Sequence, residues 1–286
     1  MSKKLVIIVG PTAVGKTDYS IEQAVRYGSP IISCDSRQIY KEMSIGTAVP
    51  DASQLAAVKH YFIQTETVTQ LYTAGKYEIQ ALDLIHQLFA EGHDTLVMAG
   101  GSGFYVDAVC NGLEEIPPTN LTLRYSLMER LNKEGLAPLQ EELKKLDPEA
   151  FSVMDTSNPQ RVVRALEVCL ISGKPFSSFK QKQPKKRDFE IEKIGLTRPR
   201  EVLYDRINRR VVQMMDAGLL MEAKTLISYR KYTAMQTVGY KELFSYFDGN
   251  CSLDEAVALI QQHTRNYAKR QMTWWRRDPS VKWIEL

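Results

Sequence analysis

The chain has 286 residues, 44% hydrophobic and 25% charged, the makeup of an ordinary soluble globular protein with room for a sizeable core and two domains. No stretch approaches the ~18 uninterrupted apolar residues of a membrane span, and the formal net charge of +3 is too small to decide for or against nucleic acid. Cys34, Cys110, Cys169 and Cys251 form no C-x-x-C pair and His60, His86, His93 and His263 no H-E-x-x-H, so free thiols are expected and a zinc site or disulfide framework is not.

Met-Ser-Lys-Lys leads directly into the apolar run Leu5–Val9, which leaves no space for a secretion signal and predicts a cytoplasmic protein. The run reads as a strand. After it Gly10-Pro-Thr-Ala-Val-Gly15-Lys16-Thr17 fits G-x-x-x-x-G-K-[ST], and a helix is predicted over Lys16–Tyr27. Backbone N–H groups and the helix N-terminus of such a loop cradle phosphate oxygens; Lys16 adds a point charge and Thr17 a hydroxyl that can ligate Mg²⁺. The motif most often holds ATP or GTP, and by itself it does not say whose phosphates bind.

Pro30–Cys34 reads as a buried strand, Tyr77–Glu91 as an amphipathic helix, and Thr95–Ala99 as a further buried strand running into Gly100-Gly101. Short apolar runs alternating with helices imply a parallel sheet with ligands at the strands' carboxyl ends. The phosphate loop, Asp35 and the Gly100–Gly103 turn are then expected on one rim. Asp35 can act there as a general base or serve only as a turn or helix cap; Ser36 and Gln38 offer hydrogen bonds to a base edge. The Gly100–Gly103 turn supplies backbone amides and the Ser102 hydroxyl, or is structural punctuation.

From Leu121 to Gly173 every segment reads as helix, with Asn158-Pro159 a cap and first turn and Gly173 a stop. Within it Gln160, Arg161 and Arg164 share a polar face opposite Val162 and Leu166. Lys180–Arg187, "KQKQPKKR", reads as a basic, proline-broken linker, and Phe189–Leu196 alternates like a strand that returns to the sheet. Two long helices are expected next, Pro199 opening the first and the Ser252-x-x-Glu255 capping box starting the last, before the closing strand "VKWIEL".

On the first of these helices, at ~100° per residue, Leu203, Ile207, Val211 and Met214 form an apolar arc with Arg210 inside it, Arg206 at its edge and Arg209 pointing away. A cation on a buried face needs an anion, either an internal carboxylate or a bound diphosphate. On the last helix, "HTRNYAKRQMTWWRR" interleaves Arg265, Lys269, Arg270, Arg276 and Arg277 with Tyr267, Trp274 and Trp275. This suits an RNA backbone and unpaired bases, or equally a solvated face with tryptophans in the core.

Together "GPTAVGKT", "DSRQIYKEMSIGTAVP", "GGSGFY", "NPQRVVRALEV", "RINRRVVQMMDAGLLMEA", "TVGYKEL" and "YAKRQMTWWRRD" resemble the tRNA dimethylallyltransferase family over nearly the whole chain and in the family's order. Ser102 stands where the family usually has Thr, and the absence of a C-terminal zinc finger is an expectation of a bacterial-type member. The resemblance implies an α/β fold, a P-loop NTPase-like parallel sheet flanked by helices. Residues 1–115 and 189–286 would form the catalytic core and 116–188 an all-helical insertion clasping an anticodon stem-loop.

It also implies that the loop Gly10, Pro11, Thr12, Ala13, Val14, Gly15, Lys16 and Thr17, with Arg206 and Arg210, holds the diphosphate of dimethylallyl diphosphate, with Mg²⁺ on Thr17. Asp35 would be the base for an adenine amine. Contacts to tRNA would come from Asp35, Ser36, Arg37 and Gln38, from Gly101 and Ser102, and from Arg124. The runs Gln160, Arg161, Val162, Val163, Arg164 and Val238, Gly239, Tyr240, Lys241 would complete them. A monomer is expected. The rival readings are a small-molecule kinase using ATP, in which Asp35 activates a hydroxyl, and an RNA-binding switch protein without chemistry.

Overall fold

The computed structural model describes residues 3–179 and 183–286, so the first part of the expected linker lies outside the described residues. The chain forms two compact units, one made of the residues up to Asn111 and from Lys186 onward, the other of Gly112–Lys185. The sequence-based boundaries at 115/116 and 188/189 lie a few residues downstream of these.

The larger unit is built on six strands: β1 (Lys4–Val9), β2 (Ile31–Ser33), β3 (His60–Tyr61), β4 (Thr95–Ala99), β5 (Glu190–Thr197) and β6 (Val281–Glu285). They lie in the order β3-β2-β4-β1-β5-β6, and every pairing is parallel. A parallel sheet is covered on both faces, which is why Leu5–Val9 is apolar without alternation and wholly buried. β3 was not expected: two residues are too few for a period to register.

Gly10 leaves β1 with φ +144°, and a Cβ there would meet the Leu196 carbonyl oxygen at 2.7 Å, so only glycine lets the loop turn against β5. The helices before the insertion are α1 (Lys16–Tyr27), α2 (Ala52–Ala57), α3 (Ala74–Ala90) and α4 (Gly103–Asn111). α3 begins at Thr73, whose hydroxyl accepts the Lys76 N–H, one turn before the predicted start.

The smaller unit contains α5 (Leu121–Glu134), α6 (Leu136–Leu146), α7 (Pro148–Val153) and α8 (Pro159–Ser172) around a core that includes Leu127, Leu139, Leu143, Val162 and Leu166. Asn158 caps α8 through the Gln160 and Arg161 N–H groups, Pro159 occupies its first turn, and Gly173 ends it in the left-handed conformation.

The larger unit resumes with β5 and then α9 (Arg200–Asp216), α10 (Leu219–Thr225), α11 (Tyr240–Phe247) and α12 (Leu253–Trp275). The two long helices expected here are α9 and α12. Between them α10 and α11 are only 7 and 8 residues long, too short for helical periodicity to stand out. The Ser252–Glu255 capping box is reciprocal, as the spacing predicts. On α12 Trp275 is buried in the core while Lys269 and Arg270 are exposed, as are Arg276 and Arg277 just past its end, so both faces foreseen for this segment exist. Among the described residues no helix is long and apolar enough to cross a membrane.

Candidate active site

The loops after β1, β2 and β4 meet at the carboxyl rim of the sheet, where parallel α/β sheets bind ligands. They open into a cleft of about 590 Å³, lined by the phosphate loop, by Asp35–Gln38, by Gly46–Asp51 and by one face each of α9 and α12.

At its floor the Lys16 Nζ donates to the Gly10 and Pro11 carbonyl oxygens at 3.0 and 2.8 Å. Burial, reinforced by Arg210 and opposed by Asp35 and Cys34, lowers its pKa to about 8. The Thr17 hydroxyl makes no hydrogen bond among the described residues, and the first amides of α1 point out of the helix, the arrangement that receives phosphate oxygens.

α9 supplies two arginines to the cleft. Arg206 donates from Nε to the Ala13 carbonyl at 2.8 Å and so holds the loop backbone. Arg210 has no ion pair among the described residues; burial and the neighbouring Arg206 lower its pKa, with Asp18 opposing. The anionic partner demanded by its place on the apolar arc is therefore not supplied by a close carboxylate of the described protein. Arg209, on the far side, pairs with Asp205 at the surface.

Across the cleft Asp35 Oδ1 accepts the Arg37 and Gln38 N–H groups at 2.9 and 3.3 Å. This is the turn role, and it occupies one oxygen; Oδ2 makes no hydrogen bond among the described residues, so the two readings of Asp35 are compatible. Ser102 Oγ accepts the Ser36 N–H at 2.9 Å and donates to Ser36 Oγ at 3.0 Å, tying the glycine turn to the acidic loop. Gln38 Nε2 is spent on the Thr47 and Ala48 carbonyls. This donor fixes the wall formed by Gly46–Pro50, so that only Oε1 is left of the Gln38 hydrogen-bonding groups the sequence suggested for a base edge.

Other expected contact residues divide. Gly101, Val238, Gly239 and Lys241 sit at or beside the cleft, and Gln160 and Arg161 are exposed on α8. The side chains of Val162 and Val163 are instead buried in the core of the smaller unit, because they lie on the opposite face of α8 from Arg161. Tyr240 is wholly buried, its hydroxyl donated to Glu222. Arg124 and Arg164 both bond the buried carboxylate of Glu167, and Arg164 also donates to the Pro117 carbonyl. Arg124 thus holds α5 to α8, and Arg164 ties α8 to the segment before α5, rather than standing free for RNA.

Two residues escaped the sequence reading. Glu222 on α10 accepts the N–H groups of Ser44, Ile45 and Gly46, and Gln271 on α12 touches both the phosphate loop and the glycine turn. Gln271 shares a face with the buried Ala268 and Trp275. A polar side chain on an apolar helical arc, the signal that singled out Arg210, would have found it.

A parallel sheet with a strand–phosphate loop–helix unit at its rim and a helical insertion defines a P-loop NTPase-like α/β protein. The family model "IPP transferase" matches residues 38–278. The tRNA dimethylallyltransferase 1 of Bacteroides thetaiotaomicron is 47% identical over 280 residues, 98% of this chain and 91% of its own length. The tRNA dimethylallyltransferase of Flavobacterium johnsoniae is 46% identical over 289 residues, 99% and 93% respectively. The crystal structure of the full-length tRNA isopentenylpyrophosphate transferase from Bacillus halodurans superposes with a TM-score of 0.72 at 37% identity, covering 99% of this chain and 90% of that one. A eukaryotic dimethylallyltransferase acting on tRNA shares the fold, with a TM-score of 0.81 at 24% identity over 99% and 74%. The chain belongs to the bacterial tRNA dimethylallyltransferase family, a family of prenyltransferases.

Proposed function

We propose that the protein transfers a dimethylallyl group from dimethylallyl diphosphate to the exocyclic amine of the adenine 3′ of the anticodon in tRNA. The products are isopentenyladenosine and diphosphate. The observation that carries this reading is the pairing, across one cleft, of a phosphate loop with a carboxylate whose outer oxygen is free.

The amine nitrogen forms a bond to the allylic carbon as that carbon's bond to the diphosphate oxygen breaks. An adenine amine is a poor nucleophile because its lone pair is delocalised into the ring, and Asp35 Oδ2 takes its proton as the C–N bond forms. Lys16, Arg210 and the loop amides receive the charge that gathers on the departing diphosphate. Arg206 contributes by holding the loop at Ala13. The Thr17 hydroxyl suits Mg²⁺, which is commonly bound through few protein oxygens plus substrate phosphates; when bound it neutralises diphosphate charge. Among the described residues no cluster of three acidic, His or Cys ligands offers an alternative metal site.

The adenine must leave its stack to reach the cleft. Arg37, Arg270 and Tyr267 beside Asp35 provide cations and an aromatic face for it, and Gln160 and Arg161 offer a polar face to the stem-loop. A monomer acting in the cytoplasm completes the reading. A kinase is not favoured, since family membership points to prenyl transfer and kinase chemistry leaves the helical insertion without a task.

Incubation with radiolabelled dimethylallyl diphosphate, Mg²⁺ and bulk tRNA should label the RNA. Label transferred from γ-labelled ATP to a small molecule, with none passing from the prenyl donor to tRNA, would overturn the assignment.

A further inference from the structure

We propose that Gln271 is a positioning residue that sets the spacing between the donor loop and the acceptor side of the cleft. The inference rests on the transfer reaction proposed above. Gln271 is 6% exposed, and each end of its carboxamide is used: Oε1 accepts the Thr12 N–H at 2.8 Å, and Nε2 donates to the Gly101 carbonyl at 3.0 Å.

The two partners belong to different halves of the site. Thr12 is in the phosphate loop, whereas Gly101 precedes Ser102, which holds Ser36 through two hydrogen bonds, next to Asp35. One line of hydrogen bonds and peptide units thus runs from the loop that receives the leaving group to the carboxylate that receives the proton.

The packing is built around this contact. A Cβ on Gly101 would come within 2.2 Å of Gln271 Nε2, so a side chain there would displace the amide. Only a primary carboxamide of this length offers an acceptor and a donor in one plane to a backbone N–H and a backbone C=O. Gln271 also commits the Thr12 amide, which leaves phosphate oxygens to the amides that follow it. Gln271 need not touch either substrate. Its effect is on the distance and angle between them, to which transfer rates are steep: an ångström of misplacement can cost about a hundredfold.

Gln271→Met removes both hydrogen bonds at similar length and volume. With dimethylallyl diphosphate and an anticodon stem-loop both saturating, the single-turnover rate should fall roughly 10- to 100-fold. The dissociation constants of inorganic diphosphate and of the stem-loop should each stay within about threefold of wild type, since neither contact is to a ligand. A saturated rate within about threefold of wild type would overturn the proposal, as would a rate loss matched by an equal loss of diphosphate affinity.

Gln271→Glu provides an independent reading should the Met variant fail to fold. It keeps an acceptor for Thr12 but turns a carboxylate oxygen on the Gly101 carbonyl, and only its protonated form can donate there. A buried carboxyl facing an acceptor has a raised pKa, so the variant's rate relative to wild type should climb as pH is lowered from about 8 to about 6. A ratio flat with pH would count against the role. Absence of transfer by the wild-type protein in this assay would remove the underlying reaction instead, whereas equal rates for wild type and Gln271→Met remove only the role of Gln271.

Discussion

The Glu222 carboxylate accepts the Tyr240 hydroxyl at 2.7 Å and closes over three successive backbone N–H groups, those of Ser44, Ile45 and Gly46, at 2.8–3.0 Å. Burial and the adjacent carboxylate both raise the Tyr240 pKa, so its hydroxyl remains a donor. Glu222 is thus the hub that fixes the wall beginning at Gly46, and Tyr240 is one of its four donors. Glu222→Ala strands all four and should destabilise by about 2–4 kcal/mol, against about 1 kcal/mol for Tyr240→Phe. Urea unfolding of the two variants makes the comparison; equal losses would contradict the hub.

Lys16 should make donor affinity depend on pH. Its pKa of about 8 means that the ammonium is charged below that value and neutral above it, and a diphosphate favours the charged form. The advantage of wild type over Lys16→Ala in affinity for inorganic diphosphate should be full below pH 8 and shrink as pH rises through it, the ligand's own ionisation cancelling in the comparison. Lys16→Ala should bind weakly throughout, while melting normally. Titration calorimetry across this range measures both; a wild-type advantage over Lys16→Ala that holds or grows with rising pH would exclude Lys16 as the anion's partner.

Arg210→Met tests whether the buried arginine serves a ligand. Met fits the α9 arc, and with no ion pair to break among the described residues, stability should hold or improve. Activity should be lost. Severe destabilisation with intact diphosphate binding would place Arg210 in the scaffold instead.

Two neighbouring arginines on α8 should separate cleanly. Arg161 has an exposed side chain, so Arg161→Ala should leave stability unchanged, weaken stem-loop binding, and reduce the log–log salt slope by about one. Arg164 anchors Glu167 and the Pro117 carbonyl, so Arg164→Ala should cost about 1–3 kcal/mol of stability. Thermal melts and binding at several salt concentrations decide, and the reverse pattern would refute the division.

Asp35→Asn keeps Oδ1 for the Arg37 and Gln38 amides and changes only the outer atom, which then cannot accept a proton. The single-turnover rate with both substrates saturating should fall by about two to four orders of magnitude, with binding nearly unchanged. A rate within about threefold of wild type would leave Asp35 with its turn role alone.

Long buried runs were legible in the sequence: Thr95–Ala99 is a strand to the residue, the run Leu5–Val9 is a strand that begins one residue earlier at Lys4, and the caps at Asn158, Gly173 and Ser252 stand where their chemistry puts them. The phosphate loop and Asp35 were legible because each lies in one contiguous motif, and Arg210 because a charge interrupts an apolar arc. Val162, Val163 and Tyr240 came with the resemblance as members of contiguous runs, and their side chains are buried because a helix turns successive side chains in different directions. Glu222 and Gln271 were missed for another reason. Apart from the Tyr240 hydroxyl, their partners are backbone groups some 170 to 260 positions away, and a bare amide or carbonyl leaves no trace in residue identity.

The pairing of β1 with β5, Lys4 against Glu190, has a consequence for synthesis. Strand β1 lacks one of its two neighbours until β5 has been made, long after β1 itself, and Gly10 cannot be pressed against Leu196 before then. For that interval an apolar strand of wholly buried character has a bare edge, the kind of surface that recruits other chains. Nascent chains arrested inside the helical insertion should therefore engage chaperones or aggregate, and competence to hold a phosphate should appear abruptly once β5 has emerged.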